Sequence, residues 1–293
     1  VRELKPGDIV ARKSYGGDVF FRVVEIVQNG PGERLAVLKG LELRLVADAP
    51  LDDLEIKDAA EILRYRHRAI EVNAACMRRI YRRREVERTD SMVKHRDTAG
   101  GEPAGDFFEV PGRVVHLDGD PEYLEKCLHA YAQLDVEVYG FRVSEAEQPR
   151  VVVKYLREYT PDILVLTGHD GLLRKDPDYA KLESYRNSAY YVQAVKAARQ
   201  VEPSRDELVI FAGACQSHYE ALLDAGANFA SSPQRVLIHA FDPVYVVEKI
   251  AFTSINDTLR MQDVIANTIT GIEGVGGIET RGRFRLGYPK SPY

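Results

Sequence analysis

Tryptophan is absent from this chain, cysteine and methionine occur three times each, and no apolar run approaches the roughly 18 to 20 residues of a membrane-spanning helix. The cysteines, Cys76, Cys127 and Cys215, are odd in number and far apart. That argues against a disulfide framework and against a CxxC metal site, and suits free thiols in a reducing compartment. No metal and no cofactor are expected. The opening "VRELKPGDIV" has no secretory h-region, so a soluble, cytoplasmic protein without membrane contact is expected. The glycine-rich "GIEGVGGIETRG" lacks both GxGxxG and a GKS or GKT ending and follows no clear strand, which speaks against a nucleotide loop and for a flap or strand connection.

What is present is enough for about two domains: 293 residues, 45% of them hydrophobic. The formal charge of −5 is unevenly spread. Residues 64–96 hold eleven Lys or Arg against four Asp or Glu, a local +7 that leaves −12 for the remainder. "RYRHR" and "RRIYRRR" interleave aromatics with arginine, but a solvated arginine face is a blander reading than a nucleic-acid contact.

Residues 1–52 alternate apolar and polar residues in short runs broken by "GG" and "NGPGE", which predicts a small SH3-like β-barrel. Residues 53–109 read as a long basic helix to about residue 88, with Ile56, Leu63, Ile70 and Met77 on a seven-residue repeat, and then a flexible Gly-rich linker. From 110 to 293 strand and helix signals alternate: "GRVVHLDGD", "VEVYGFRV", "DILVLTGHDG", "ELVIFAGACQ" and "RVLIHAF" with helices between. This is the grammar of an α/β fold, a mostly parallel sheet covered by helices on both faces.

Two of those strands end alike. "DILVLTG" runs into His169 and "LVIFAGA" into Cys215, and in such sheets functional groups gather beyond the carboxyl ends of the strands. An imidazole and a thiol on one rim can act as base and nucleophile. Backbone N–H groups of Asp170, Gly171 and Cys215 are the candidate oxyanion donors. His218 and His239 are competing bases, and Cys76 and Cys127 read as core residues.

At these residues the chain resembles caspase-like cysteine peptidases, in which a strand ending in His-Gly is followed by one ending in Ala-Cys. The separation, 215 − 169 = 46, is close to the roughly 50 residues of caspases. Asp170 stands between His169 and the glycine, a departure from that pattern. Over its whole length, with "LTGHDG" and "FAGACQSHYEAL", the chain resembles the YabG family of sporulation-specific peptidases. The resemblance implies a cysteine endopeptidase with Cys215 as nucleophile and His169 as its partner. It also implies proteins of the spore coat and of sporulation as substrates, a place in the mother cell, and cleavage after basic residues. Arginine preference would require a carboxylate facing a guanidinium. Asp118 and Asp120, at the end of "VVHLDGD", are the expected candidates, with Asp170 as a rival and a turn and helix cap as the other reading of "DGD". Self-cleavage is expected in or just after residues 82–96. Two other readings stand beside this one: a thiol amidase of glutamine-amidotransferase type using His239, and a non-enzymatic polymer-binding module.

Overall fold

The computed structural model describes residues 3–28, 34–98, 107–173 and 177–291, without the side chains of 88 and 90–98. Strands β1 (Ile9–Arg12), β2 (Phe20–Gln28), β3 (Arg34–Gly40), β4 (Val46–Pro50) and β5 (Leu54–Ile56) form an antiparallel sheet in the order β4-β3-β2-β1-β5. Alternation puts Val10, Phe21, Val23, Ala36, Leu38, Ala49 and Leu54 into one apolar core. The sheet thus reaches past residue 52, and helix α1 (Ala59–Thr98) starts later than 53. Its start is set by a reciprocal cap, in which Asp58 Oδ1 accepts from the Glu61 N–H at 2.7 Å and Glu61 Oε2 from the Asp58 N–H at 2.9 Å.

Helix α1 also continues beyond residue 88, through the first ten residues of the predicted linker; residues 99–106 lie outside the described residues. Of the seven-residue repeat, Met77 is buried with Cys76 and Ile80, whereas Leu63 and Ile70 are exposed. Ile56 itself falls in β5, and the helix packs locally in two places: Tyr65 stacks on Phe20 of β2 with ring centroids 4.3 Å apart, and Cys76, Met77 and Ile80 join the α/β core. The arginines there are not all solvated: Arg83 and Arg84 both bond the buried carboxylate of Glu248, at 2.6 and 2.7 Å. Paired this way, a carboxylate tolerates burial.

The remaining elements follow in the order β6 (Phe108–Val110), β7 (Val114–Asp118), α2 (Pro121–Gln133), β8 (Val138–Arg142), α3 (Gln148–Tyr159), β9 (Ile163–Thr167), α4 (Ser188–Val201), β10 (Val209–Ala212), α5 (Tyr219–Ala225), β11 (Phe229–Ser231), α6 (Asp242–Phe252), β12 (Thr258–Leu259), α7 (Met261–Ile265), β13 (Val275–Gly277), β14 (Thr280–Arg281) and β15 (Arg285–Gly287). The central sheet has the order β13-β11-β10-β9-β7-β8 and is parallel except for β13. Two small ribbons, β12-β14 and β6-β15, lie apart from it. Along the strands, Val114, Ile163, Val165, Val209 and Phe211 face a core with α1, α2 and α6, while Val115, Leu164, Leu166 and Ile210 face one with α3, α4 and α5. Burial on both faces explains why the strands read as continuous apolar runs.

Two segments depart from the sequence reading. "RVLIHAF" is not a strand of the central sheet; the strand after β10 is the short β11, and residues 238–240 instead run beside the loop between β3 and β4, with a bridge between Leu43 and His239. The glycine-rich segment supplies the antiparallel edge strand β13. A Cβ on Gly277 would come within 2.3 Å of the Asn228 carbonyl oxygen, so the glycine serves close approach.

Candidate active site

The chain leaves β7 for β8 on one side and returns to β9 on the other, so the strand order reverses between β7 and β9, the place where α/β sheets form their crevices. Asp118 and Thr167 end these strands side by side in register, and Leu166 of β9 aligns with Ala212 of β10. The turns carrying His169 and Cys215 are therefore neighbours. Gly213, at φ +108°, turns the chain off β10 in a conformation that side chains resist, and Gln216, just after the cysteine, is itself left-handed at φ +55°.

Asp170 ties the two turns together. Its carboxylate, 3% exposed, accepts from Ser217 Oγ at 2.8 Å, from the Asn187 N–H at 2.8 Å and from the Gly171 N–H at 2.9 Å, and also bonds Ser188 Oγ. Burial raises its pKa against these bonds. One expectation changes here. The Gly171 N–H is engaged by Asp170 Oδ1 and does not point at a substrate oxygen. The Asp170 and Cys215 N–H groups, by contrast, have no hydrogen-bond partner among the described residues.

His169 is held from three sides. Its Nε2 lies 2.8 Å from Asp120 Oδ2, its backbone N–H donates to Glu145 Oε1 at 2.7 Å, and Tyr123 packs edge-on with ring centroids 5.7 Å apart. With Nε2–H donating to the carboxylate, Nδ1 carries the lone pair, and Nδ1 is buried without a hydrogen bond. Asp120 does not face an open pocket. It binds Lys39 Nζ at 2.6 Å and accepts from the N–H groups of Glu122 and Tyr123, capping α2. Although burial works the other way, the bonds from His169 and Lys39 hold its pKa well below the usual carboxylate range. Asp120, expected as a substrate-binding carboxylate, thus has its oxygens on His169, Lys39 and the first turn of α2.

Asp118 is fully buried and already has its guanidinium. Arg44 Nη1, from the loop between β3 and β4, lies 2.6 Å from Asp118 Oδ2, and neither side chain is exposed. Thr167 Oγ1 and the Asp120 N–H donate to the carboxylate at 2.8 Å each, His116 Nε2 stands 3.5 Å from it, and Arg44 reaches Cys127 Sγ at 3.1 Å and the Ala240 carbonyl at 3.3 Å. Burial would raise Asp118, yet the Arg44 charge holds it far below the usual range. The guanidinium on Asp118 is thus one of the same chain.

Cys215 is also fully buried. Its Sγ receives the Ile238 N–H at 3.2 Å, and burial pushes the thiol up to about 12, so the resting group is protonated. The two rival histidines are committed elsewhere. His218 caps α5 and sits 3.2 Å from the Ala180 carbonyl. His239 accepts from the Phe241 N–H through Nδ1, and burial lowers it to about 3, too weak a base for a thiol.

Sequence reasoning missed Arg44, Lys39, Tyr123 and Glu145. Lys39 lies on β3 and Arg44 in the loop that follows it, and no spacing rule links them to a rim more than seventy residues downstream. Glu145 leaves one trace: a Cβ on Gly119 or Gly168 would come within 2.3 Å of its Oε1, so both flanking glycines make room for it. Among the described residues no group of His, Cys, Asp or Glu forms a metal-binding cluster, and no helix is long and apolar enough to cross a membrane.

A buried thiol, an imidazole on a carboxylate and a bound arginine at the switch point of a parallel sheet are the equipment of a hydrolase. Comparison with known proteins narrows this class. A family model described as YabG peptidase U57 matches residues 5–289. The sporulation-specific protease YabG of Bacillus subtilis (strain 168) is 43% identical over 289 residues, covering 97% of each chain. No solved structure matches the chain. The chain belongs to the YabG peptidase family and is a sporulation peptidase.

Proposed function

We propose that the chain is a cysteine endopeptidase that cleaves proteins of the spore coat and of sporulation after arginine, in the mother cell, with a caspase-like catalytic sheet and an SH3-like N-terminal barrel. The observation that carries this reading is the Asp120–His169 contact on the rim beside the Cys215 turn. In the first step the Cys215 S–H proton passes to His169 Nδ1 and the sulfur pair attacks the scissile carbonyl carbon, whose C=O pair moves onto oxygen. The free N–H groups of Cys215 and Asp170 are the donors for that oxyanion. As the tetrahedral centre collapses, the C–N bond breaks and the imidazolium returns its proton to the leaving amine. A water then hydrolyses the thioester by the same route, which restores the thiol. Asp120 stabilises the imidazolium through Nε2–H and fixes the tautomer.

Asp118 is the carboxylate for the substrate guanidinium. Its support is chemical: the site holds a guanidinium at 2.6 Å in full burial, walled by Tyr123, whose ring centroid is 5.4 Å from the Arg44 guanidinium. The thiol-amidase reading loses support because His239 is buried, hydrogen-bonded and weakly basic. The test is hydrolysis of arginyl, lysyl and alanyl peptide amides by wild-type and Cys215→Ala protein. Arginine-selective turnover that vanishes in the variant is the expected result; turnover by Cys215→Ala protein would end the reading.

A further inference from the structure

The proposed site is closed by the chain's own barrel. The tip of the β3–β4 loop, residues 41–45, "LELRL", lies antiparallel to residues 238–240. The Arg44 N–H donates to the Ile238 carbonyl at 3.3 Å, the Ala240 N–H donates to the Glu42 carbonyl at 2.9 Å, and Leu43 pairs with His239 between them. This is the hydrogen bonding of an extended peptide added to a free backbone edge. Ile238 is also the residue whose N–H and carbonyl flank the Cys215 sulfur, at 3.2 and 3.8 Å. The backbone of Arg44 and the thiol therefore share one neighbour. The Arg44 side chain meanwhile descends to Asp118.

We infer that Leu41–Leu45 is a built-in occupant of the peptidase's own substrate groove, with Arg44 filling the arginine pocket, so that an extended arginyl peptide binds only where this loop has withdrawn. The inference rests on the reading of Cys215 and Asp118 given above. The loop is held from outside the groove as well: Tyr123 Oη donates to the Gly40 and Leu43 carbonyls at 2.7 and 2.6 Å, and Lys126 Nζ to the Leu41 carbonyl at 2.6 Å. Its geometry also makes it a poor substrate. The Leu45 N–H turns back to the Leu43 carbonyl at 2.8 Å and the Gly40 N–H closes on the Leu45 carbonyl at 2.8 Å, so the chain reverses directly after Arg44 instead of continuing extended past the thiol. A Cβ on Gly40 would stand 2.5 Å from the Leu43 carbonyl oxygen, which is why the turn begins on glycine.

If the groove is open in one molecule in ten or fewer, apparent affinity for substrate falls by about tenfold or more, and a variant without the occupant recovers that factor. Arg44→Ala in the full chain is therefore expected to raise kcat/KM for an arginyl peptide amide, and the rate of Cys215 capture by an arginyl electrophile, by about tenfold or more. A folded Arg44→Ala protein no faster than wild type overturns the inference. Because that variant leaves Asp118 buried without its cation, the question is also put to a protein that keeps Arg44. In Cys215→Ala protein, saturating acetyl-Leu-Glu-Leu-Arg-amide is expected to accelerate backbone hydrogen exchange at residues 41–45. Unchanged protection there with the peptide bound, or no binding at all, overturns it. The underlying reading fails by a different signature: Cys215→Ala protein that still hydrolyses arginyl substrates.

Discussion

Replacing Asp120 by asparagine changes one atom of the site and reverses the instruction given to His169. In the native arrangement the carboxylate accepts from Nε2, so the proton rests there and Nδ1 is the basic nitrogen. An amide at position 120 still caps α2, because its oxygen can receive the Glu122 and Tyr123 N–H groups now bonded at 2.8 and 3.1 Å, and asparagine is as good a cap as aspartate. Its NH2 group then meets His169 and Lys39. Lys39 Nζ loses the anion 2.6 Å away, and Nε2 faces a donor, which stabilises the ring with the proton on Nδ1. That nitrogen can no longer accept the thiol proton. In triads of this logic the same change lowers kcat by about 10⁴ with geometry intact. Here the expected loss in kcat is about 10² to 10⁴, or roughly 3 to 5 kcal/mol of barrier, with KM changed far less and the circular dichroism of the fold unchanged. The assay is steady-state hydrolysis of an arginyl peptide amide across pH. A folded Asp120→Asn enzyme that keeps about a tenth or more of wild-type kcat would refute the argument that Asp120 sets the tautomer.

Cys215→Ala is expected to abolish hydrolysis with the fold intact, and His169→Ala nearly so, without additive losses in the double variant, because the two groups act as a unit; kinetics of the three proteins check this. Cys76→Ser, buried on α1 in the core shared with α2 and α6, is expected to leave kcat/KM near wild type. Asp118→Asn leaves the Arg44 charge buried with half its partner, so stability is expected to fall by about 3 to 5 kcal/mol in urea unfolding, and selectivity for arginyl over alanyl substrates by about tenfold or more. His239 is neutral in the fold, with its pKa lowered to about 3, while in the unfolded chain it titrates near 6.5. The unfolded state binds more protons between these values, so the His239 contribution is complete above pH 6.5 and declines as pH falls toward 3. Thermal unfolding from pH 7 to 5 is expected to show that decline, and His239→Asn protein a shallower one.

The central sheet was legible because a strand covered on both faces is an apolar run, and each of "RVVHL", "ILVLT" and "LVIFA" ends where the run meets glycine or a charge. That local grammar also put His169 and Cys215 on neighbouring turns. The strand β11 was not legible, since "FAS" is three residues long, whereas "RVLIHAF" has the apolar content of a strand but pairs with the loop between β3 and β4. The end of α1 escaped for the opposite reason. Residues 89–98 carry no apolar period in the sequence, so nothing in it signals a helix there, although the backbone continues α1 to Thr98. That continuation also weakens the expectation of self-cleavage in residues 82–96, since a peptide must be extended to enter an edge-pairing groove. The cations that Asp118 and Asp120 meet, Arg44 and Lys39, come from the N-terminal sheet and its β3–β4 loop. Contacts across more than seventy residues have no signature in one sequence.

The central claim, that Cys215 is the nucleophile and His169 its base, is tested most directly by prolonged incubation with a peptidyl-arginine acyloxymethyl ketone followed by mass mapping of the full chain. The account predicts one adduct per chain, on Cys215, formed in wild-type protein and strongly slowed in His169→Ala protein. An adduct on Cys76 or Cys127 in place of Cys215, or labelling of Cys215 at an equal rate without His169, would contradict it.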